Sequence, residues 1–241
     1  MKYGVFSDVH SNLEALEAVL RALEGERVDR LLCAGDLVGY GADPAPCLER
    51  VRTAGACVVC GNHDCAVTGR LGMDWFSENA RVSLEWTAPR LPAAEKEYLG
   101  RLPYTWKDSE VTLVHSALDS PSSFRYVVDP EAAGTSFAAQ ETPVAFFGHT
   151  HVPGIFLLEQ GMARFRRAER IALEPGQKAL VNVGSVGQPR DGDPRAAYAL
   201  YDSGSGVVEI RRVEYPVERA QRKIVEAGLP GFLARRLAVG R

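Results

Sequence analysis

No stretch of the 241-residue chain runs the roughly 18 apolar residues without a charge that a membrane-crossing helix needs, which argues against a span. The apolar run behind Lys2 meets Asp8 too soon for a signal peptide, so a cytoplasmic location is expected. Excess charge is missing as well. Lysines and arginines number 28 against 31 acids, a net −3, so there is no basic field to hold nucleic acid, and only Arg164, Arg166, Arg167 and Arg170 gather locally. Cysteine is scarce and odd in number: Cys33, Cys47, Cys57, Cys60 and Cys65. Most lie in or beside expected strands, where free thiols serve as small buried hydrophobes. Cys57 and Cys60 have the C-x-x-C spacing of a redox pair or half a zinc site, but three positions along a strand turn two thiols to opposite faces. Also absent are G-x-x-x-x-G-K-S/T and a G-x-G-x-x-G after a strand, the patterns that cradle nucleotide phosphates. With no repeat and no low-complexity linker, one domain over residues 1–241 is expected, and 46% hydrophobic residues suffice for a sizeable core.

What is present begins as strand, helix, strand. Residues 1–8 read as a short apolar strand, residues 12–23 carry a helical stripe of Leu13, Leu16, Val19, Leu20 and Leu23, and residues 28–34 form the next strand. That order implies parallel pairing through a crossover helix. A glycine- and proline-rich loop over 35–46 leads to a helix at 47–53, and 56–64 reads as a further strand. A helical insertion is expected around 67–101, where Trp75, Phe76 and Trp86 either anchor packing or shape a pocket. Strands at 105–107 and 111–115, a long connection over 116–135, a short helix closing at 137–140 and a strand at 144–147 follow. From residue 155 the texture turns to short strands between Gly, Pro and Asp turns, which suggests a second, more antiparallel sheet. Residues 217–237 close the chain as a helical segment broken at 228–231.

Histidine is scarce too, yet all five, His10, His63, His115, His149 and His151, fall where an apolar run stops. Asp8-Val9-His10, Gly35-Asp36, Asn62-His63-Asp64, His115 and Gly148-His149-Thr150-His151 end five such runs, and ligands in open α/β folds gather beyond the carboxyl ends of strands. Imidazole nitrogens and carboxylate or amide oxygens suit a hard or borderline cation. Alternate residues of an extended chain point one way, so Asp8 and His10 can aim at one point. Taken singly, Ser7, Asp8 or Ser11 could equally cap a following helix. The recurrence favours a metal site.

In this order the five segments resemble the signature of the calcineurin-like metallophosphoesterases, over residues 1 to about 201. The resemblance implies a four-layer α/β/β/α sandwich with two mixed β-sheets and a dinuclear centre at the sheet edges, in the small bacterial and archaeal phosphodiesterase-like branch. It implies two divalent transition-metal ions, manganese first, with iron, zinc, nickel, cobalt or magnesium as the family's other choices. By position Asp8, His10 and His151 would hold one ion, Asn62, His115 and His149 the other, and Asp36 would bridge them. His63 would protonate the leaving oxygen, with Asp64 orienting it, while a hydroxide shared by the ions attacks phosphorus. The expected function is hydrolysis of small phosphodiesters or nucleotide-type phosphate esters. The alternatives are a phosphomonoesterase, a serine/threonine protein phosphatase-like activity, or a non-catalytic metal-binding scaffold.

One departure narrows the choice. The protein phosphatase branch carries Gly-Asp-x-Val-Asp-Arg-Gly where this chain has Gly35-Asp36-Leu37-Val38-Gly39-Tyr40-Gly41, so a bidentate phosphate clamp is lost. A small phosphate-ester substrate fits better, with Tyr40, Arg125 and Arg190 as candidate binding residues and Trp75, Phe76 and Phe124 as lining. Arg190 belongs to the glycine-rich stretch 182–194, in which Asn182, Gly184 and Ser185 would support the sheet edge. Homo-oligomerisation is left open.

Overall fold

A computed structural model describes residues 1–241. The opening apolar run forms β1 (Lys2–Phe6), and the helical stripe behind it forms α1 (Leu13–Gly25) with Leu16, Val19, Leu20 and Leu23 buried. Asn12 is the cap: its side chain accepts the amide hydrogen of Ala15 (3.2 Å), which leaves Asp8 and Ser11 out of that role. After β2 (Arg30–Cys33), α2 (Pro44–Thr53) starts at Pro44 rather than at residue 47, since a first-turn proline sacrifices no helical hydrogen bond.

The run 56–64 departs most from expectation. Only β3 (Cys57–Val58) is strand, and α3 (Asn62–Val67) begins at Asn62. The Asp64 carboxylate reaches back to accept the Gly61 amide (3.0 Å), the interaction that turns a chain into a helix at its third position. Cys60 accordingly meets Cys65 of α3, Sγ to Sγ at 2.6 Å, and not Cys57.

Helices α4 (Glu78–Thr87) and α5 (Ala93–Arg101) follow, then β4 (Thr105–Lys107) and β5 (Val111–Val114). Helix α6 (Pro130–Ala139) is longer than the short helix expected before residue 140, because Asp129 caps it by accepting from the Ala132 amide (2.8 Å). Next come β6 (Val144–Phe147), β7 (Gly154–Glu159), β8 (Met162–Arg166), β9 (Arg170–Ala172), β10 (Ala179–Asn182), β11 (Ala196–Asp202) and β12 (Val207–Val213). Helices α7 (Val217–Glu226) and α8 (Gly231–Leu237) complete the chain, broken as expected around Gly228.

The strands make two six-stranded mixed sheets, in the orders β3-β2-β1-β11-β12-β9 and β4-β5-β6-β10-β7-β8. Strands β1, β2 and β3 pair in parallel in the first, and β5, β6 and β10 in the second. The strands after residue 154 therefore build no sheet of their own. Strand β11 adds antiparallel to β1, while β10 slots between β6 and β7. Each buried parallel strand needs a partner on both sides, and these late strands supply it.

Side-chain alternation sets the layers. Tyr3 and Val5 of β1 meet Leu113, Val144, Phe146 and Val181 between the sheets. Phe6 faces the other way, into the packing of α1, α2 and α7, while Val114, Ala145 and Phe147 pack under Ala133 and Phe137 of α6. The result is the α/β/β/α sandwich. Replacing Phe146, fully buried in the central layer, by Ala is expected to cost about 3–5 kcal/mol. Denaturant unfolding checks this: the midpoint falls with an unchanged slope, and a loss under about 1 kcal/mol contradicts the packing.

Candidate metal centre

The parallel strands β1, β2, β5, β6 and β10 bring their carboxyl ends together, and loops from both sheets interlace there. The loop after β1 is stapled to that after β2 by Asp8 N–H to Gly35 O, His10 N–H to Asp36 O and Ser11 N–H to Leu37 O, each at 3.0 Å. The loop after β10 crosses from the second sheet: Ser185 Oγ donates to the Asp8 carbonyl, Asn182 Nδ2 to that of Gly148, and Asn12 Nδ2 to that of Gly187, each at 2.9 Å.

The alternation argument for Asp8 and His10 does not hold. Both lie beyond the strand with left-handed backbones, φ +54° and +47°, as do Asp36 (+53°), His149 (+67°) and His151 (+60°). Five of the ten non-glycine residues with positive φ are thus candidate ligands, each strained by about 1–3 kcal/mol. The turns fold the strand tips inward. They also need bare neighbours: a Cβ on Gly61 would collide with the Asp36 carboxylate, and one on Gly148 with that of Asp8.

Seven side chains converge. His10 Nδ1 lies 3.1 Å from the Val38 carbonyl and His151 Nδ1 2.6 Å from that of Gln188. A carbonyl oxygen only accepts, so both Nδ1 atoms carry the proton and both Nε2 atoms present lone pairs, which face each other at 3.1 Å. Asp8 Oδ1, buried and without a hydrogen-bond partner, stands 3.7 Å from His10 Nε2 and 3.4 Å from His151 Nε2. On the other side His115 donates Nδ1–H to the Ala34 carbonyl (2.6 Å), and its Nε2 faces Asn62 Oδ1 (3.1 Å), His149 Nδ1 (3.2 Å) and Asp36 Oδ2 (3.4 Å). Asp36 Oδ2 also lies 3.6 Å from His10 Nε2, so one carboxylate touches both groups.

Donors about 2.1 Å from one shared ion stand roughly 3.0 to 3.4 Å apart. The spacings, the facing lone pairs and the orphaned Asp8 oxygen therefore all fit cations. Asp8, His10 and His151 could hold one, and Asp36, His115 and His149 another, with a third overlapping grouping of His10, Asp36 and His63.

Burial governs ionisation here. It pushes His10 and His151 well below the ordinary imidazole value and, with the charge of His115, takes His149 down to about 3, so all three are neutral donors at pH 7. His115 is the exception: burial lowers it, but the Asp36 carboxylate, joined by Asp8 and the Ala34 carbonyl, outweighs burial and holds it up to about 10. Burial raises Asp36 in turn, yet the neighbouring imidazoles, the charged His115 foremost, keep it well below the usual carboxylate range.

Asp64 does not orient the His63 imidazole. Its carboxylate accepts the amides of Asp36 (2.9 Å), Leu37 (2.9 Å) and Gly61 (3.0 Å), which makes it a brace for the Asp36 loop. His63 instead sits in an aromatic cage, 4.6 Å from the Tyr40 ring, 4.7 Å from His10 and 5.1 Å from Phe76, with Nδ1 buried and unpartnered.

A cavity of about 580 Å³ opens above these residues. Leu71, Trp75 and Phe76 form one wall, Phe124, Tyr126 and Ser122 another, and Tyr40 and Arg190 line it as expected. Arg125 does not; its guanidinium is held by Asp119 (2.6 Å) and Thr135 (3.0 Å). Phe124 takes φ +50°, and that reversal turns Tyr126 into the cavity, stacked on His149 at 4.1 Å. Nothing in the sequence signals that turn, which places Tyr126 rather than Arg125 in the lining.

This fold and this cluster define a metallophosphoesterase. A family model described as the calcineurin-like phosphoesterase superfamily domain matches residues 1–206, and the chain belongs to that superfamily of metal-dependent phosphoester hydrolases. A metallophosphoesterase from Sphaerobacter thermophilus shares 39% identity, with each chain covered completely and a TM-score of 0.88. An uncharacterized protein of Methanocaldococcus jannaschii is 36% identical over 99% of this chain and 98% of its own length. A hypothetical protein of Pyrococcus horikoshii OT3, at 19% identity, covers 100% of this chain and 98% of its own with a TM-score of 0.82, a likeness of fold. The relatives are of the small bacterial and archaeal type.

The raised value of His115 has a measurable consequence. Protonated at pH 7.5, it must lose its proton before Nε2 can bind a cation, so uptake at that position releases about one proton and tightens as pH rises toward about 10. Calorimetry in two buffers of different ionisation enthalpy reads this release. Uptake without it contradicts the Asp36–His115 pairing.

Proposed function

We propose that the chain is a dinuclear metal-dependent phosphoesterase acting on small phosphodiesters or nucleotide-type phosphate esters. The observation that carries the reading is the pair of neutral imidazoles, His10 and His151, facing lone pair to lone pair beside the unpartnered Asp8 oxygen. Asp8, His10 and His151 would hold one ion and Asn62, His115 and His149 the second, with Asp36 shared. Bound there, divalent ions supply Lewis acidity, lowering the pKa of water toward about 7 and neutralising phosphate oxygens. Manganese is the first candidate.

The remaining chemistry falls to the protein. His63 is the proposed proton donor to the leaving oxygen, since its imidazole lines the cavity beside the candidate ligands. Burial, opposed by Asp36 and aided by Arg190 and His115, takes it down to about 4 in the free chain. The negative charge of an arriving phosphate ester favours its protonated form. Arg190 binds a phosphate oxygen, and Tyr40 holds the His63 ring against that side of the cavity. Aromatic walls on two sides favour a phosphate with two organic groups over one, and a concave cavity of about 580 Å³ favours a small substrate over a protein surface.

Two measurements test this. A panel of aryl phosphodiesters, aryl monoesters and a phosphoserine peptide, run with manganese, is expected to rank the diesters first; a peptide preference contradicts the reading. His63→Ala is expected to lower turnover of an alkyl ester about 10²-fold or more, and a nitrophenyl ester far less, with metal content unchanged. Loss of an ion instead makes His63 a ligand in its grouping with His10 and Asp36.

A further inference from the structure

The C-terminal helix α8 lies beyond the segment that the family model matches, yet its Arg236 shares an acceptor with Arg190, which lines the cavity. Arg236 Nη1 donates to Gln188 Oε1 at 2.8 Å, and Arg190 Nη2 donates to the same oxygen at 2.9 Å. Gln188 is 2% exposed and fixed, its amide donating to Ser185 Oγ (2.9 Å) and its carbonyl accepting from His151. Two guanidiniums therefore converge on one neutral acceptor, the side chain of a residue whose main-chain carbonyl holds His151. Neither meets an aspartate or glutamate side chain, although ten other arginines bond to one at 3.0 Å or less. The other bond of Arg236 runs from Nε to the Arg241 main-chain oxygen, and Arg190 Nε is buried with no partner.

The segment is held rigidly. Gly192 N–H donates to the Gly240 carbonyl (2.9 Å), which laces the end of α8 to the loop carrying Arg190. Leu233, Ala234 and Leu237 bury the apolar face of the helix. Arg236 lies over Phe232, its Cζ 5.1 Å from the ring centroid, and Arg190 over Tyr40 at 5.6 Å. Two guanidiniums pinned on one neutral side-chain oxygen, with no aspartate or glutamate between them, are destabilising unless an anion joins them.

We propose that Arg190 and Arg236 form an anion subsite beside the metal cluster, and that the preferred substrate carries a second phosphate beyond the one being cleaved. Arg236 is then a specificity-determining residue, and this deepens the phosphoesterase reading, on which it rests. The fork of each guanidinium matches phosphate oxygens, and the donors at the shared Gln188 oxygen are free to turn to a stronger acceptor. Burial and the neighbouring charge of Arg190 bring Arg236 down to about 10, still charged at pH 7 and relieved by an anion.

The test compares the manganese-loaded wild type, Arg236→Met and Arg236→Lys on the p-nitrophenyl ester of thymidine 5′-phosphate with and without a 3′-phosphate. Calorimetric titration with thymidine 3′,5′-bisphosphate and with thymidine 5′-phosphate reads binding without turnover. The wild type is expected to show a lower KM for the ester with two phosphates. Arg236→Met raises that KM about tenfold and the other less than about twofold, and Arg236→Lys falls between. Should Arg236→Met fail to fold, the partial loss in Arg236→Lys carries the comparison. Esters that turn over with equal KM, or variants that weaken both alike, overturn the subsite and leave the hydrolytic reading standing. No turnover, with tighter binding of the bisphosphate that depends on Arg236, overturns hydrolysis and leaves the subsite. Equal or absent binding of both nucleotides also overturns it.

Discussion

Buried imidazoles and carboxylates crowded to within 3.1 to 3.7 Å of one another are the constraint from which the rest of this structure follows. Such a cluster is unfavourable by itself: burial forbids most of the imidazoles a proton, lone pairs face lone pairs, and the Asp8 oxygen lacks a donor. Left-handed turns at Asp8, His10, Asp36, His149 and His151 add strain. The surrounding fold offsets this with two sheets packed through Phe146, Val144, Leu113 and their neighbours, and with loops that cross between the sheets. The residues closest to the chemistry are therefore the least comfortable, and those behind them the most densely satisfied.

Much of this was legible in the sequence, for physical reasons. Periodicity gave α1, and the apolar runs gave the strands, because a buried parallel strand has no polar face to disguise it. The candidate ligands could be picked out because each follows such a run, and the fold brings them together. Other features depend on contacts between residues far apart in the chain. The helix at Asn62 exists because Asp64 bonds back to Gly61, and Asp64 then serves the Asp36 loop instead of His63. The late strands were expected to form their own sheet, but β10 and β11 complete the two earlier ones, a choice set by which strand edges remained open.

The cavity shows the same division. Tyr40 and Arg190 sit where glycine-rich loops suggested, whereas Arg125 is captured by Asp119 and Tyr126 takes the place against His149. Nothing local marks Arg236: its position is a product of how α8 docks, and it enters only when Gln188 is seen to receive two arginines. Selectivity for a substrate can thus reside in a segment outside the shared motifs while the motifs themselves set the reaction class.

The central claim is that this cluster is completed by two cations on either side of Asp36. Crystals grown with manganese and measured at the manganese absorption edge test it most directly. The account predicts two anomalous peaks, one among Asp8, His10 and His151 and one among Asn62, His115 and His149, with the Asp36 carboxylate between them. A map with no peak among these side chains, or a single peak held by His10, Asp36 and His63, would contradict it.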